Sequence, residues 1–243
     1  MERLQKVISN SGYCSRRKAE ELISSGKVSV NDKIITEMGC KVFGSDKILI
    51  NGKMLSRDEK EYYLLYKPRG VITSTKDEKN RKTVIDLIKT DKRIYPVGRL
   101  DYDTSGILLL TNDGELTNLL IHPRNKIDKV YIAKIKGILT KEESIKLSNG
   151  VLIDGVKTSK AKVKLRKIDK KNLTSIVELT IHEGKNHQVK KMFEAVNHEV
   201  IKLKREKFDF LDLTGLKSGE YRKLNTKEVK KLYGNVNKIS ANN

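Results

Sequence analysis

The sequence holds only two cysteines, Cys14 and Cys40, with no Cys-x-x-Cys pair. Neither a disulfide framework nor a zinc ribbon is open to it. No apolar run approaches the roughly 20 residues needed to cross a bilayer. The opening MERLQKVISNSGYCSRRK lacks the apolar core of a secretory signal, so a reducing cytoplasm is the expected compartment. There is neither a G-x-x-x-x-G-K-[ST] loop nor a G-x-G-x-x-G fingerprint, and the four histidines show no metal spacing such as H-E-x-x-H. No metal and no small-molecule cofactor is expected. What the chain has in excess is positive charge: 51 Lys and Arg against 31 Asp and Glu, net +20 over 243 residues. Charge of that size speaks about partners rather than fold, and nucleic acid leads, ahead of an anionic membrane surface. A hydrophobic content of 37% with 34% charged residues describes a soluble globular chain long enough for two domains.

The first fifty residues read as a small unit of their own. Leu4, Val7 and Ile8 recur at helical spacing until Asn10-Ser11-Gly12 breaks the pattern. A second helix is expected from Ser15, an N-cap residue type, with Ala19, Leu22 and Ile23 buried and Gly26 as its stop. Short strands at Val28–Val30 and Ile34–Ile35 turn through Asn31-Asp32, and Asn51-Gly52 marks another turn. Arg16, Arg17 and Lys18 fall in the first turn of the second helix, where the macrodipole disfavours cations and an RNA phosphate would offset the cost. With Arg3 and Lys6, this helix-turn-helix-hairpin resembles the S4 RNA-binding domain over residues 1–52. The polar stretch 53–61 has no apolar period and reads as a linker.

From residue 62 to 235 the texture changes to short β-like runs with few helices. Strands are expected at Tyr62–Tyr66, Ile107–Leu110, Lys129–Ile135, Thr174–Ile181 and Val200–Leu203. Helices are expected near Leu116–Leu120, Lys141–Leu147, Asn186–Val196 and Thr226–Tyr233, with a disordered tail at 236–243. Such a mixture points to an α+β domain with a mixed, largely antiparallel sheet flanked by helices. Lys160 to Arg166 alternates cation with apolar residue, which suits an RNA-facing strand and a protected sheet edge equally well.

One acidic loop stands out in this basic chain. In VGRLDYDTSG, Val97 to Gly106, Asp101 lies between Arg99 and the buried run ILLLTNDG, while Thr104, Ser105 and Gly106 permit a tight turn. On its own this is either a turn device or the seat of chemistry. A metal-binding Asp-x-Asp loses ground because no His or Cys lies nearby. A hydrolase dyad of Asp101 and Asp103 is weak as well, since carboxylates at i and i+2 on an extended loop point apart. A second signal, His182 to Arg205, places Val189, Met192, Phe193 and Val196 on one helical stripe and leaves Lys190 and Lys191 off it, with His187 beside Lys185.

Four ordered motifs then carry a resemblance that composition cannot supply. Gly98-Arg99-Leu100-Asp101 with Thr104-Ser105-Gly106 and the following LLLTNDG is similar to the active-site motif of the pseudouridine synthases of the RsuA/RluB group. Lys67-Pro68-x-Gly70 resembles that family's first motif, Lys129-Val130-Tyr131 the segment supplying its active-site tyrosine, and Glu183 to Phe193 its last motif. With the S4-like unit, the resemblance spans about residues 1–235.

The resemblance implies a pseudouridine synthase fold and isomerisation of one uridine in ribosomal RNA, with the large subunit's 23S rRNA favoured and 16S rRNA the alternative. It makes Asp101 the catalytic aspartate, acting on C1′ or assisting loss of the 2′ proton. Tyr131 borders the uracil and Lys190 holds the Asp101 carboxylate. The RNA-binding set is Arg3, Lys6, Arg16, Arg17, Lys18, Lys67, Arg99, Lys185, His187 and Lys191, with Arg99 taking the place the extruded base vacates. The enzyme is expected to work as a monomer, without a membrane. The one departure is lysine at 190 and 191 where the family usually carries arginine, a point charge in place of a bidentate fork. The competing reading is a non-catalytic S4-type ribosome-assembly factor in which the Asp101 loop is only a turn.

Overall fold

A computed structural model describes residues 1–241, with side chains through Val236, and its first helix pair forms where the capping residues allow. Ser15 accepts the Lys18 backbone N–H at 3.1 Å and opens the helix Arg16–Ser24, which ends before Gly26 at φ +69°. The preceding helix, Leu4–Asn10, presents Leu4 and Ile8 to Ala19 and Ile23. Four strands complete this unit in the order Lys33–Ile34, Val28–Val30, Ile48–Ile50, Lys53–Met54. Their hairpins turn at Asn31-Asp32 and Asn51-Gly52, each pair holding positive φ as tight primed turns require.

The expected linker at 53–61 starts too early. Lys53–Met54 is a strand, and Leu55 packs on the unit's core while its N–H reaches Ile48 O at 2.9 Å. The rest of the stretch is tied down by hydrogen bonds. Asn112 accepts the Glu61 N–H at 2.9 Å and donates to Glu59 O at 2.8 Å. The compact unit accordingly comprises Met1–Glu61 with Lys89–Tyr95 and Thr111–Gly114. The absence of an apolar period hid these contacts, because side-chain amides make them.

The second unit, Tyr62–Ile88, Pro96–Leu110 and Glu115–Asn243, holds most of a nine-stranded sheet. Its main path runs Lys162–Asp169, Thr174–Ile181, Lys129–Lys136, Val200–Phe208, Ser105–Thr111, Tyr62–Lys67, Tyr221–Lys223. Val200–Phe208 is antiparallel to Lys129–Lys136 and parallel to Ser105–Thr111, so the sheet is mixed. The parallel contact is close: a Cβ on Gly106, at φ +122°, would lie 2.2 Å from Arg205 O, and only glycine fits. Leu64, Ile107, Leu109 and Phe208 form a core with Leu116 and Leu120 of the helix Gly114–Ile121.

Leu232 and Val236 of the last helix join the same core, fully buried. That burial carries the helix through Gly234 to Ala241, a correction to the tail expected from 236; residues 242–243 lie outside the described residues. The Val200–Phe208 strand is also longer than Val200–Leu203. The alternating cations fall on the edge strand Lys162–Asp169, where a bulge sets Arg166 out of register to ion-pair with Glu178. No helix among the described residues is long and apolar enough to cross a membrane.

Candidate active site

The acidic loop is built from below. Lys67 ends the strand Tyr62–Lys67 fully buried, and its ammonium donates to three carbonyls: Pro68 O at 3.1 Å, Asp101 O at 3.0 Å and Thr104 O at 2.9 Å. Gly70 N–H reaches Tyr102 O at 2.8 Å, and Arg69 Nε reaches Asp103 O at 2.8 Å. The Lys67-Pro68-Arg69-Gly70 turn thus satisfies four successive carbonyls, 101 to 104, and fixes the loop's backbone. Thr73 adds a fifth contact, its hydroxyl donating to Leu100 O at 2.6 Å. Lys67 therefore does not reach RNA, a correction to its place in the RNA-binding set. A charge beside Pro-x-Gly reads as surface, yet three carbonyls hold it inside.

Burial draws the Lys67 ammonium down to about 8 from 10.5, while Asp101 and Asp103 pull the other way. Between pH 8 and 10.5 the unfolded chain carries the extra proton, so this group makes the protein more stable as pH rises through that window. Below pH 8 its full cost is present. Lys67→Met removes the charge and leaves Asp101 O and Thr104 O short of a donor, at roughly 1–3 kcal/mol for each unpaired acceptor. Urea melts should show Lys67→Met less stable than wild type at pH 7.5. The gap should widen at pH 9.5, because only wild type gains. Equal stability at both values would mean the clamp is idle.

On this frame the Asp101 carboxylate opens into a cleft of about 580 Å³. Lys190 Nζ lies 3.3 Å from Asp101 Oδ2, and His187 Nδ1 lies 3.1 Å from the same oxygen. Lys190 also donates to Asp103 Oδ1 at 2.7 Å, which holds the Asp103 carboxyl below its usual range. The 101–104 turn brings both carboxylates to one cation, where the sequence had them pointing apart. His187 takes a left-handed backbone, φ 50°, as the N-cap of the helix Gln188–Glu194. Gln188 braces that loop, donating to Glu183 Oε2 at 2.7 Å and accepting the Lys185 N–H at 3.0 Å.

Tyr131 lies nearly buried on the cleft floor. Arg205 stands directly across from it on the neighbouring strand. Arg99, Lys185 and His187 are exposed around the opening. Lys191 is not a lining residue and ion-pairs with Asp154 at 2.5 Å. In the small unit Arg3, Arg16, Arg17 and Lys18 are exposed; Lys6 pairs with Glu2, and Lys18 with Glu21 at 2.7 Å. Sequence reasoning missed Asp103 as a second partner of Lys190, and the half-buried Lys129 and buried Arg205 as cations of the floor. A usable signal for Arg205 existed: in VIKLKREKF it shares strand parity with Leu203, opposite Lys202 and Lys204. Among the described residues, no group of three or more His, Cys, Asp or Glu is gathered to hold a metal.

Residues 61–195 match the family model described as RNA pseudouridylate synthase, and residues 2–43 match the S4 domain. Over 233 residues the chain is 60% identical to ribosomal large subunit pseudouridine synthase B of Bacillus subtilis, covering 96% of each chain. It is 35% identical over 242 residues to the dual-specificity RNA pseudouridine synthase RluF of Escherichia coli, covering 98% of this chain and 81% of that one. A crystal structure of a pseudouridylate synthase aligns with a TM-score of 0.67 at 29% identity, covering 96% of this chain and all of that one.

Proposed function

The chain belongs to the RNA pseudouridylate synthase family, and from that premise we propose that it isomerises one uridine of large-subunit ribosomal RNA, with Asp101 as the catalytic carboxylate. The observation that carries the site assignment is a single oxygen: Asp101 Oδ2, in the cleft, with Lys190 at 3.3 Å and His187 at 3.1 Å. The 60% identity to the large-subunit enzyme of Bacillus subtilis, spread over nearly the whole of both chains, supports the choice of subunit.

The reaction breaks the C1′–N1 bond and makes a bond from C1′ to C5 of the turned base. It is an isomerisation, and the uridine has to leave its stack, at a cost of a few kcal/mol, before the cleft can take it. A negative carboxylate has two places to act, C1′ itself and the 2′ proton, and each requires it ionised. Lys190, 3.3 Å from that carboxylate, fixes its direction. Tyr131 borders the base. Arg99, at the rim, fills the gap left in the RNA. The enzyme acts as a monomer in the cytoplasm.

Pseudouridine mapping of rRNA from cells lacking the protein tests the subunit: one 23S position should lose its mark and regain it on complementation. A lost 16S mark, or none, rejects the assignment.

The small unit grips the RNA through phosphates, with Arg16 and Arg17 exposed in the first turn of its second helix. The double variant Arg16→Gln, Arg17→Gln should bind rRNA more weakly. The slope of log K against log salt should become shallower by about 1.4, two phosphates at roughly 0.7 each. Filter binding across a salt series reads both. An unchanged slope would move the contact elsewhere.

A further inference from the structure

Two cations of the cleft floor remain without a task. Arg205 is 2% exposed on the strand Val200–Phe208, directly across from Tyr131 on its neighbour. Its Nε donates to Ile107 O at 2.9 Å. Its Nη2 is buried and has no hydrogen-bond partner among the described residues. Lys129 lies two residues before Tyr131, and strand alternation puts the two on one face. Its Nζ donates to Ile127 O at 3.2 Å and His182 O at 3.0 Å. Both cations rest on the Phe208 ring, 5.3 Å from its centroid for Arg205 and 5.8 Å for Lys129, and both line the cleft.

Neither makes an ion pair among the described residues. Burial, and then the charge of Arg205, draw the Lys129 ammonium down to about 8. Charges withdrawn from water are costly unless matched by an opposite one, and carbonyls orient the buried Arg205 and the half-buried Lys129 without neutralising them. A floor that keeps two cations and one idle donor is arranged for an anion that arrives later. Its walls, with Tyr131, Leu203, Ile181 and Phe208, suit a flat ring better than a phosphate.

The proposed reaction generates such an anion. When C1′–N1 breaks, the bonding pair stays on the base, and the charge spreads over N1, O2 and O4. We propose that Lys129 and Arg205 stabilise the detached uracil as its anion, with Arg205 Nη2 donating to a base carbonyl oxygen. The inference rests on the pseudouridine-synthase reading. The electron balance closes within the substrate: the pair that leaves with N1 returns to C1′ from C5, the C5 proton goes to solvent, and N1 takes up one proton in its place. Asp101 meets the electron demand at C1′ in between, by bonding there or by removing the 2′ proton so that the C2′–H pair does. No oxidant or reductant enters.

Leaving-group acidity separates this from a phosphate contact. Full-length 23S rRNA transcripts made with uridine or with 5-fluorouridine are treated with excess wild type, Lys129→Met or Arg205→Met at pH 7. Nuclease digestion and mass spectrometry then count the C-linked nucleoside. Fluorine withdraws charge, so the fluorinated base departs with less help from cations. Each variant should slow the uridine transcript by about 100-fold, the scale for losing a donor to a developing anion, and the fluorinated one by less than a tenth of that.

Equal slowing in both RNAs, or none, overturns the proposal; equal slowing with weakened RNA binding makes the cations phosphate contacts. Should Arg205→Met not fold, Arg205→Lys keeps the charge and moves the donor, and a smaller loss still confined to uridine is expected. Wild type converting neither RNA would instead sink the pseudouridine-synthase reading. Conversion by wild type with equal losses in the variants would leave that reading standing.

Discussion

Asp101→Asn should abolish tritium release from [5-³H]uridine-labelled rRNA, a loss of about 10³-fold or more, or at least ~4 kcal/mol of transition-state stabilisation. RNA affinity should stay within a factor of about two. The amide is nearly isosteric and still accepts from Lys190 and His187, so the site keeps its shape. Lys190 is not orphaned by the change, because Asp103 Oδ1 holds it at 2.7 Å. Lys67 grips the loop through backbone carbonyls, which the substitution leaves in place. What disappears is the negative charge, and with it either attack on C1′ or removal of the 2′ proton. Release at the wild-type rate would reduce Asp101 to a turn residue, and no release from wild type itself would return the assembly-factor reading. The double comparison of release and binding is needed because RNA binding alone is common to both readings.

The sequence made some of this arrangement legible and concealed the rest for identifiable reasons. Turn chemistry was plain at Asn31-Asp32 and Asn51-Gly52, since few residues adopt positive φ and those pairs do. The stripe Val189, Met192, Phe193, Val196 is buried as its spacing required. Asp101 and Lys190 came from motif, and the structure brings them together across a separation that no local pattern encodes. Hidden were the interactions in which a charged side chain serves backbone. Lys67 disappears under three carbonyls, and Asn112 closes on residues 59 and 61. Arg205 was masked by its neighbours: a strand with Lys202, Lys204 and Lys207 reads as basic surface, and parity with Leu203 sets Arg205 apart from Lys202 and Lys204 but not from the exposed Lys207, beyond the register shift. The last helix passed Gly234 because burial of Val236 outweighs the glycine's cost of about 1 kcal/mol.

Lys190 stands where the resemblance to the RsuA/RluB group implies arginine, and two substitutions there should separate charge from geometry. Lys190→Ala should lower the single-turnover rate by about 100-fold with the dissociation constant for RNA unchanged. It removes the cation that both carboxylates contact, so Asp101 loses the partner that aims it. Lys190→Arg should retain or raise activity. The guanidinium fork has enough donors for Asp101 and Asp103 at once, where one ammonium now divides between contacts of 3.3 and 2.7 Å. Rescue by arginine together with loss in alanine identifies a positioning role through charge, which a merely structural lysine would not show. Full activity in the alanine variant would hand the task to His187, the other group within 3.1 Å of the Asp101 carboxylate. Loss in the arginine variant as well would mean that the reach of the ammonium, rather than its charge, sets the carboxylate's direction.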